Sequence, residues 1–142
     1  PYSLISKLLT MISFETKIRV EYHHTDQMGI VHHSNYVKFF EVARTEWLRA
    51  MGITYAEMER RGVMMPIVDV AVKYRNPALY DELISVTAFV DEAPMARMTF
   101  RYEVRGEDGR EIATGSTTLG FIDSQTRRPQ RAPQWLLEVI KF

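Results

Sequence analysis

The sequence contains no cysteine, and this absence excludes several kinds of chemistry at once. Without thiols the chain can form no disulfide, no thiolate metal site and no cysteine nucleophile. An excess of one charge is absent as well, because 18 Lys and Arg residues balance 18 Asp and Glu residues. Nucleic-acid-binding domains are usually strongly basic, so this balance argues against nucleic acid as a partner. The lack of cysteine fits a reducing compartment, and we expect a cytoplasmic protein.

Long apolar runs are also absent, since none approaches the ~20 residues that a helix needs to cross a bilayer. The chain has 142 residues, of which 46% are hydrophobic and 25% are charged, and this composition is typical of one globular domain. We predict a single domain over residues 11–142. Residues 1–10 precede the first methionine, and we expect them to be either a non-native extension or a short arm that packs on a neighbouring subunit.

Hydrophobic periodicity predicts a strand followed by a long helix. Apolar and polar residues alternate over residues 12–22, which is typical of a strand with one buried face. A wide apolar stripe then predicts a helix over residues 36–51. Ser34 or Asn35 can cap the start of this helix, and Gly52 supplies its C-terminal stop.

Four strand candidates follow the long helix without another long helix between them. They cover residues 67–74, 83–90, 96–104 and 112–123. A hairpin turn at Glu107-Asp108-Gly109 and other short connections favour antiparallel neighbours. A capping-box pattern at Thr54 predicts a short helix before the strands, and Pro133 opens a final one. The order predicts an α+β fold in which a five-stranded antiparallel sheet wraps around one long central helix.

The densest cluster of chemically active side chains lies between the first strand and the long helix. Asp26 and all four histidines of the chain lie within residues 23–33. A carboxylate beside the start of a helix can act as a base, and the unpaired N–H groups and positive dipole end of that helix can stabilise an oxyanion. This combination predicts acyl-transfer chemistry.

This part of the chain resembles the hotdog-fold acyl-CoA thioesterases of the 4-hydroxybenzoyl-CoA thioesterase type. The resemblance is carried by the pattern Tyr22-x-x-x-Asp26-x-x-Gly29-Ile30-Val31-x-His33-x-Asn35-Tyr36. It continues through Phe39-Phe40-Glu41-x-x-Arg44 and Val72-Lys73-Tyr74-Arg75-Asn76-Pro77-Ala78-x-Tyr80-Asp81-Glu82, and so covers residues 14–123. The closer match is the branch of short-chain acyl-CoA thioesterases found with bacterial Tol-Pal genes. The pattern departs at His23 and His24, where the family more often has a small or acidic residue.

The resemblance implies an acyl-CoA substrate and a homodimer or homotetramer with active sites at subunit boundaries. It implies that Asp26 is the catalytic carboxylate, as general base or nucleophile, and that His33 and Tyr22 line the reacting thioester. Backbone N–H groups near His33, Ser34 and Asn35 would polarise its carbonyl. The predicted substrate-binding residues of the matched pattern are Gly29, Val31, Ser34, Asn35 and Tyr36, and Lys73 and Arg75 are added as candidate phosphate contacts. No metal ion or other cofactor is implied.

Two questions about charged residues stay open. Coenzyme A carries phosphates that need basic partners. These could be Lys73 and Arg75, or a second basic cluster before the last helix. That cluster consists of Arg127, Arg128 and Arg131. Glu41 and Arg44 are three residues apart on the predicted helix, which predicts a surface ion pair, while Glu41 could also be a second carboxylate near the site.

Other interpretations of the same residues also stay open. Asp26 could simply tie a turn or cap the helix. The four histidines also suggest a metal site. However, His23 and His24 are adjacent in a segment predicted to be extended, so their side chains should point to opposite sides, and this disfavours metal binding. At the level of function, the chain could be a non-catalytic acyl-CoA or acyl-carrier-protein binding module, or a dehydratase or hydratase on the same fold.

Overall fold

A five-stranded sheet and one long helix make up most of the structure, a computed structural model that describes residues 11–142. The sheet contains β1 (Ile12–Arg19), β3 (Ile67–Tyr74), β4 (Leu83–Val90), β5 (Arg97–Arg105) and β6 (Glu111–Gly120). Two short strands pair separately, and they are β2 (Val63–Met64) and β7 (Ile122–Asp123). The helices are α1 (Asn35–Met51), α2 (Tyr55–Arg60) and α3 (Gln134–Ile140). The predictions for residues 1–10 lie outside the described residues.

All neighbouring strands of the large sheet are antiparallel, in the order β1-β4-β5-β6-β3. The predicted α+β architecture is therefore confirmed. The expectation that every short connection joins neighbouring strands is wrong for β3 and β4, which lie apart in the sheet. Residues 75–82 connect β3, at one edge of the sheet, to β4, which lies three strand positions away. This crossing chain holds the loop before α1, because the carbonyl of the buried Ala78 accepts a hydrogen bond of 2.9 Å from Val31 N–H.

The core forms where α1 packs against one face of the sheet. The buried residues of α1 are Asn35, Tyr36, Phe39, Phe40, Ala43, Trp47 and Leu48. The Phe40 ring stacks on Tyr102 with centroids 4.2 Å apart, and Trp47 meets Phe100 edge-on at 5.3 Å. Gly115 permits this close approach, since a Cβ there would lie 2.5 Å from the Phe40 ring. Each large side chain buried in this way contributes about 1.5–3 kcal/mol.

The first strand ends at Arg19 rather than at Tyr22, because residues 22–24 form a 3₁₀ turn. The turn is stabilised locally: Glu21 N–H donates to Nδ1 of His24 at 2.9 Å, and Thr25 N–H donates to the Tyr22 carbonyl at 3.1 Å. A side chain that captures backbone N–H groups in this way competes with strand pairing. The chain therefore leaves the sheet three residues earlier than the alternation predicts.

The long helix begins and ends close to its predicted bounds, but its cap differs. Ser34 occupies the N-cap position, yet its hydroxyl lies 2.8 Å from Nδ1 of His32 and does not cap the helix. Asn35 is the first helical residue. Gly52 ends the helix with φ of 110°, a left-handed conformation that glycine adopts readily. The predicted side-chain cap at Ser34 or Asn35 is therefore wrong, and the glycine stop is confirmed.

The two short helices also follow their predictions in part. Thr54 caps α2, because its hydroxyl accepts a hydrogen bond of 3.1 Å from Glu57 N–H. The carboxylate of Glu57 binds Arg60 and Arg61 instead of returning to Thr54, so the capping box is half formed. Pro133 stands just before α3, at its N-cap. None of the helices described here is long and apolar enough to cross a membrane.

A β-bulge interrupts β3 near its start. Ile67 pairs with Leu119 and Asp69 pairs with Thr118, so that two consecutive residues of β6 face three residues of β3. Val68 is therefore left without a partner in the ladder. An extra residue of this kind changes which face of the sheet the following side chains occupy.

Because of the bulge, four residues of β3 lie on the side of the sheet that carries α1. We call them the β3 stripe, and they are Ile67, Val70, Val72 and Tyr74. Each pairs directly with a residue on the core side of β6, and paired residues share a face. These partners are Leu119, Thr117, Gly115 and Ala113. The helix does not cover this edge, so Ile67, Val70 and Tyr74 stay 43%, 37% and 53% exposed.

Candidate active site

A tight turn holds Asp26 between the 3₁₀ turn and α1. Asp26 N–H donates to the Ile30 carbonyl at 2.9 Å, and Gly29 N–H donates to the Asp26 carbonyl at 3.0 Å. Gly29 adopts φ of 79°, which residues with a side chain rarely adopt. Isolated bridges pair Thr25 with Val31 at the base of the turn. The local sequence therefore fixes the backbone on both sides of the carboxylate.

The Asp26 carboxylate uses one oxygen for this turn and keeps the other available. Oδ1 accepts a hydrogen bond of 2.8 Å from Met28 N–H, which is the contact of an Asx turn. Oδ2 forms no hydrogen bond with any residue in the described range 11–142. The interpretation of Asp26 as a residue that ties a turn is thus correct for one oxygen, and the second oxygen is available for chemistry.

Asp26 lines an open cavity of about 330 Å³, here called the Asp26 cavity. Its walls come from the turn, the start of α1 and the end of β3 with the residues that follow it. The other lining residues are Ile30, Val31, His33, Tyr36, Tyr74, Arg75, Asn76 and Pro77. The volume lies at the lower end of the range of about 300–1,000 Å³ for small-molecule sites. Five residues predicted from sequence therefore meet in one cavity: Asp26, Val31, His33, Tyr36 and Arg75.

Five other predicted residues do not line this cavity. Tyr22 is 79% exposed and packs edge-on against Tyr80 at 5.8 Å. Gly29 forms the turn described above, and Ser34 bonds to His32. Asn35 is buried, and its amide donates to the His24 carbonyl at 2.8 Å.

Lys73 pairs with Thr114 and lies on the face of β3 opposite to the neighbouring Tyr74. It is therefore separated from the Asp26 cavity by the strand itself.

Tyr74 joins the end of β3 to the start of α1. Its hydroxyl donates to the His33 carbonyl at 3.1 Å, and its ring lies edge-on to Tyr36 at 5.4 Å. Burial raises the pKa of Tyr36 to about 12, so this hydroxyl stays protonated at neutral pH. Sequence reasoning did not single out Tyr74, Asn76 or Pro77 as site residues. All three belong to the matched segment of residues 72–82, which contains the end of β3 and the chain that follows it, and this match was the available signal.

The start of α1 offers fewer free N–H groups than predicted. Ser34 N–H donates to Nδ1 of His32 at 3.3 Å, and Asn35 N–H donates to the His32 carbonyl at 3.0 Å. His33 N–H has no hydrogen-bond acceptor among the described residues. Of the three N–H groups expected to polarise a carbonyl, that of His33 is therefore the one available to a ligand.

The histidines before Asp26 do not point in opposite directions, so that expectation is wrong. The 3₁₀ turn brings the His23 and His24 rings to 4.1 Å between centroids. Nε2 of His23 lies 2.6 Å from a carboxylate oxygen of Glu21. Burial, followed by the nearby His23, lowers the pKa of His24. Ligand atoms of Glu21, His23 and His24 all lie within 4.8 Å of one another, so the stereochemical argument against a metal here does not hold.

With the geometry established, comparison with known proteins identifies the family. The sequence profile described as the Thioesterase-like superfamily matches residues 20–140. The chain belongs to this superfamily. An acyl-CoA thioesterase of Haemophilus influenzae, YbgC, is 35% identical and is matched over 85% of this chain and 89% of its own length.

Solved structures of other proteins agree with membership of the Thioesterase-like superfamily. A DHNA-CoA thioesterase of Staphylococcus aureus superimposes with a TM-score of 0.84 and 34% identity, over 91% of this chain and 89% of that one. The Thermus thermophilus protein TT1821 gives a TM-score of 0.84 and 35% identity, over 89% of this chain and 96% of that one. The predicted hotdog fold and thioesterase family are confirmed. The narrower Tol-Pal branch stays a prediction.

In this thioesterase-like chain the two basic clusters differ in their relation to Asp26. Arg75 lines the Asp26 cavity. Arg131 lines a different cavity beside Pro129, and Nη1 of Arg127 lies 3.9 Å from the Met64 sulfur. Proximity therefore favours Arg75 for a ligand bound at Asp26.

Glu41 and Arg44 lie away from the Asp26 cavity and line a second one. They form the expected pair, with Nη2 of Arg44 3.7 Å from the Glu41 carboxylate. The pair is not a surface pair, however, because the Arg44 side chain is only 12% exposed while that of Glu41 is 72% exposed. Glu41 is therefore not positioned as a second carboxylate beside Asp26.

Proposed function

We propose that this chain is an acyl-CoA thioesterase, which hydrolyses the thioester to a free acid and coenzyme A, and that Asp26 is its catalytic carboxylate. One observation carries the proposal: in a chain of the Thioesterase-like superfamily, Asp26 lines the same cavity as His33 at the start of α1, and its second carboxylate oxygen has no hydrogen-bond partner among residues 11–142. The name of the Haemophilus influenzae relative supports acyl-CoA as the substrate class.

In the general-base route, Asp26 Oδ2 takes a proton from water as the water oxygen attacks the thioester carbonyl. The carbonyl oxygen becomes an oxyanion, and His33 N–H is the group in position to donate to it. The C–S bond then breaks, and the coenzyme A thiolate leaves and takes up a proton. In the nucleophilic route, the carboxylate attacks the carbonyl and expels the thiolate to give a mixed anhydride, which water then hydrolyses.

The coenzyme A portion is proposed to extend over Arg75. This residue is exposed at the mouth of the Asp26 cavity and forms no ion pair with a described residue. A guanidinium in this position can bind a phosphate through two parallel hydrogen bonds. The alternative cluster of Arg127, Arg128 and Arg131 is disfavoured because none of the three lines this cavity.

Two copies of the chain are proposed to pair through β3 into a homodimer, with a homotetramer as a dimer of such dimers. The argument comes from the two edges of the sheet. The edge strand β1 carries Glu15, Lys17 and Arg19, and charges of this kind protect an edge against pairing. The edge strand β3 also carries two charged residues, Asp69 and Lys73, but on its other face it leaves the apolar β3 stripe exposed. A soluble enzyme acting on acyl-CoA would work in the cytoplasm, which we propose as its location.

The test is the Asp26→Asn variant, which keeps the size of the side chain and removes its charge. We expect kcat to fall by about 10²–10⁴, the range for a lost acid–base group, while KM changes little. A panel of short, long and aromatic acyl-CoAs with a thiol-release readout identifies the best substrate first. Normal turnover by Asp26→Asn on that substrate would remove the catalytic role, and binding without turnover by the wild type would favour a binding module.

Asp123→Asn is a matched control for the structural part of the role. Oδ1 of Asp123 accepts hydrogen bonds from Gln125 N–H at 2.8 Å and Thr126 N–H at 3.0 Å, so it ties a turn as Asp26 does, away from the cavity. The Asp123→Asn variant should lose about 1 kcal/mol of stability and keep the turnover of the wild type. After one turnover in heavy-oxygen water, label in Asp26 would establish an anhydride that water opens at the Asp26 carbonyl, because the general-base route places the label only in the free acid.

A further inference from the structure

A short segment of the chain between β3 and β4, residues 77–79, pairs with the turn that carries Asp26. The Ala78 carbonyl accepts a hydrogen bond of 2.9 Å from Val31 N–H, and the next residue forms an antiparallel bridge with Ile30. The first residue of the segment also lines the Asp26 cavity. The place of this segment therefore determines where the turn and its carboxylate lie.

Two side chains from other parts of the sequence hold the 77–79 segment at its ends. Nη2 of Arg110, in the hairpin between β5 and β6, donates to the Pro77 carbonyl at 2.8 Å. Oε1 of Glu82, directly before β4, accepts a hydrogen bond of 3.1 Å from Leu79 N–H. A carbonyl at one end and an N–H at the other are thus fixed by side chains that lie outside the segment.

Arg110 and Glu82 are themselves joined by two parallel hydrogen bonds. Nη1 donates to Oε2 at 2.8 Å, and Nη2 donates to Oε1 at 2.7 Å. Such a fork fixes the relative orientation of the two groups as well as attracting them. The side chains are only 28% and 10% exposed, so water competes less than it does at a surface pair. Arg110 also holds the pKa of the Glu82 carboxyl below its usual range, so the pair stays charged at neutral pH.

Gly106 leaves room for this ion pair. A Cβ at this position would clash with Nη1 of Arg110 and would lie 2.6 Å from Oε2 of Glu82. The φ angle of Gly106 is not in the left-handed region that favours glycine, so the need here is for space. Both of the nearest atoms are ends of side chains, and a larger residue would therefore displace the ion pair.

We propose that Arg110 is a positioning residue for the thioesterase reaction, which holds the Asp26 carboxylate in its catalytic place through Glu82 and the 77–79 segment. This proposal rests on the thioesterase function and on the catalytic role of Asp26. Arg110 does not line the Asp26 cavity, so its effect passes through the backbone that it holds. A displacement of about 1 Å at a reacting group can cost about 100-fold in rate, so a contact outside the cavity can control kcat.

The first experiment removes the guanidinium with Arg110→Met, which keeps much of the apolar stem. At a temperature where the variant is folded, we expect kcat on the best acyl-CoA to fall by about ten- to hundredfold, with a smaller change in KM. Arg60→Met is the control, because Arg60 forms a similar fork with Glu57 on α2 and neither residue lines the cavity. Its kcat should stay within about twofold of the wild type. A folded Arg110→Met variant with the kcat of the wild type would overturn the proposal.

The second experiment asks whether Arg110 acts through Asp26. In the Asp26→Asn background the group to be positioned is already absent, so adding Arg110→Met should lower kcat by less than about threefold. A purely structural role predicts the same fold loss with and without the Asp26 carboxylate. Equal losses in the two backgrounds would therefore contradict positioning. Melting temperatures report the loss of stability separately.

The third experiment displaces the ion pair without removing a charge, and it carries the test if Arg110→Met does not fold. Gly106→Ala should lower kcat by about tenfold or more, and Arg110→Met should add little to this loss. Gly120→Ala is the matched control, since a Cβ there would be 3.7 Å from its nearest neighbour, Val68 Cγ2, and φ is again not left-handed. Normal turnover by Gly106→Ala would contradict the proposal.

The outcomes distinguish this proposal from the function on which it rests. A wild type that hydrolyses no acyl-CoA of the panel contradicts the thioesterase function, and normal turnover by Asp26→Asn contradicts the catalytic role of Asp26. An impaired Asp26→Asn variant together with normal kcat in Arg110→Met and Gly106→Ala leaves both of these intact. That combination overturns the positioning role alone.

Discussion

The two sides of α1 differ in how far their chemical groups are satisfied by the chain itself. Toward β4 and β5, Trp47 is fully buried, and its Nε1–H donates to the Ile12 carbonyl at 3.2 Å. The buried Tyr102 hydroxyl pairs with Thr117 at 2.5 Å. Toward β3, Asp26 Oδ2 and Arg44 Nη1 lack hydrogen-bond partners among residues 11–142, and the β3 stripe is exposed. On the β4 side the solvent-shielded Thr16 Oγ1 of β1 also lacks a partner among residues 11–142, so the two sides differ in degree. We propose that a substrate and a second copy of the chain supply the missing contacts on the β3 side.

This difference teaches where stability and function reside. Buried groups without partners reduce stability, so a chain retains them where another molecule supplies the partner. Substitutions on the β4 and β5 side should therefore lower stability and spare activity. Substitutions on the β3 side should lower activity or assembly and spare stability. The predictions below run from the largest expected effect to the smallest.

The largest effect on stability is expected for Trp47→Ala, on the β4 and β5 side of α1. Removing a fully buried indole leaves a cavity and should lower the free energy of unfolding by about 3–5 kcal/mol. Urea denaturation measures this loss. At a temperature where the variant is folded, kcat should stay within about twofold of the wild type because Trp47 lines neither cavity. A loss of turnover in the folded variant would contradict the assignment of stability, without activity, to the β4 and β5 side.

The proposed dimer contact through β3 is tested by Val70→Lys, a substitution in the middle of the β3 stripe. Two lysines facing each other across a twofold interface repel, so the dimer should weaken by about 2 kcal/mol or more. Light scattering across a range of concentrations measures this. Phe14→Lys on β1 is the matched control, since Phe14 is 38% exposed and Val70 is 37% exposed. If Phe14→Lys dissociates the dimer and Val70→Lys does not, the wrong edge has been assigned.

The smallest effect is expected at the mouth of the Asp26 cavity. Arg75→Ala should raise KM for acyl-CoA by about three- to tenfold and leave kcat unchanged, because a phosphate contact is present in both ground and transition states. Added salt should reduce the difference between wild type and variant. Arg128→Ala serves as the control with no expected change. The opposite result would move the coenzyme A site to the second basic cluster.

Much of the fold could be predicted because it follows from local patterns. The apolar stripe of α1 and the alternation in β4 and β5 reflect burial within one element, and the turn at Gly109 reflects the positive φ that glycine adopts readily. The crossing between β3 and β4 could not be predicted, since a connection of ordinary length does not specify which strands pair. The 3₁₀ turn at His23 and His24 was missed because hydrogen bonds from Glu21 and Thr25 outweighed the alternation.

The Asp26 side of the site could be predicted because its residues are close in sequence. The second cavity, which Glu41 and Arg44 line, was not predicted, because the spacing of these two residues alone predicts a surface ion pair. A signal was nevertheless present: Tyr36, Phe40, Arg44 and Leu48 follow at intervals of four, and this spacing places all four along one apolar stripe of a helix. A charged residue in such a series is a candidate for a buried role.

Because of the β-bulge, β3 contains one residue, Val68, that is not needed for its pairing with β6. Because Val68 has no partner in the ladder, its deletion would leave Ile67 opposite Leu119 and Asp69 opposite Thr118. Deletion of Asp69 would have the same result, because Val68 would then pair with Thr118. Loss of a residue elsewhere in a regular strand would instead invert the side chains beyond it. Length variation in this sheet edge can therefore accumulate over evolution at one point without disturbing Tyr74 or the loop that it holds.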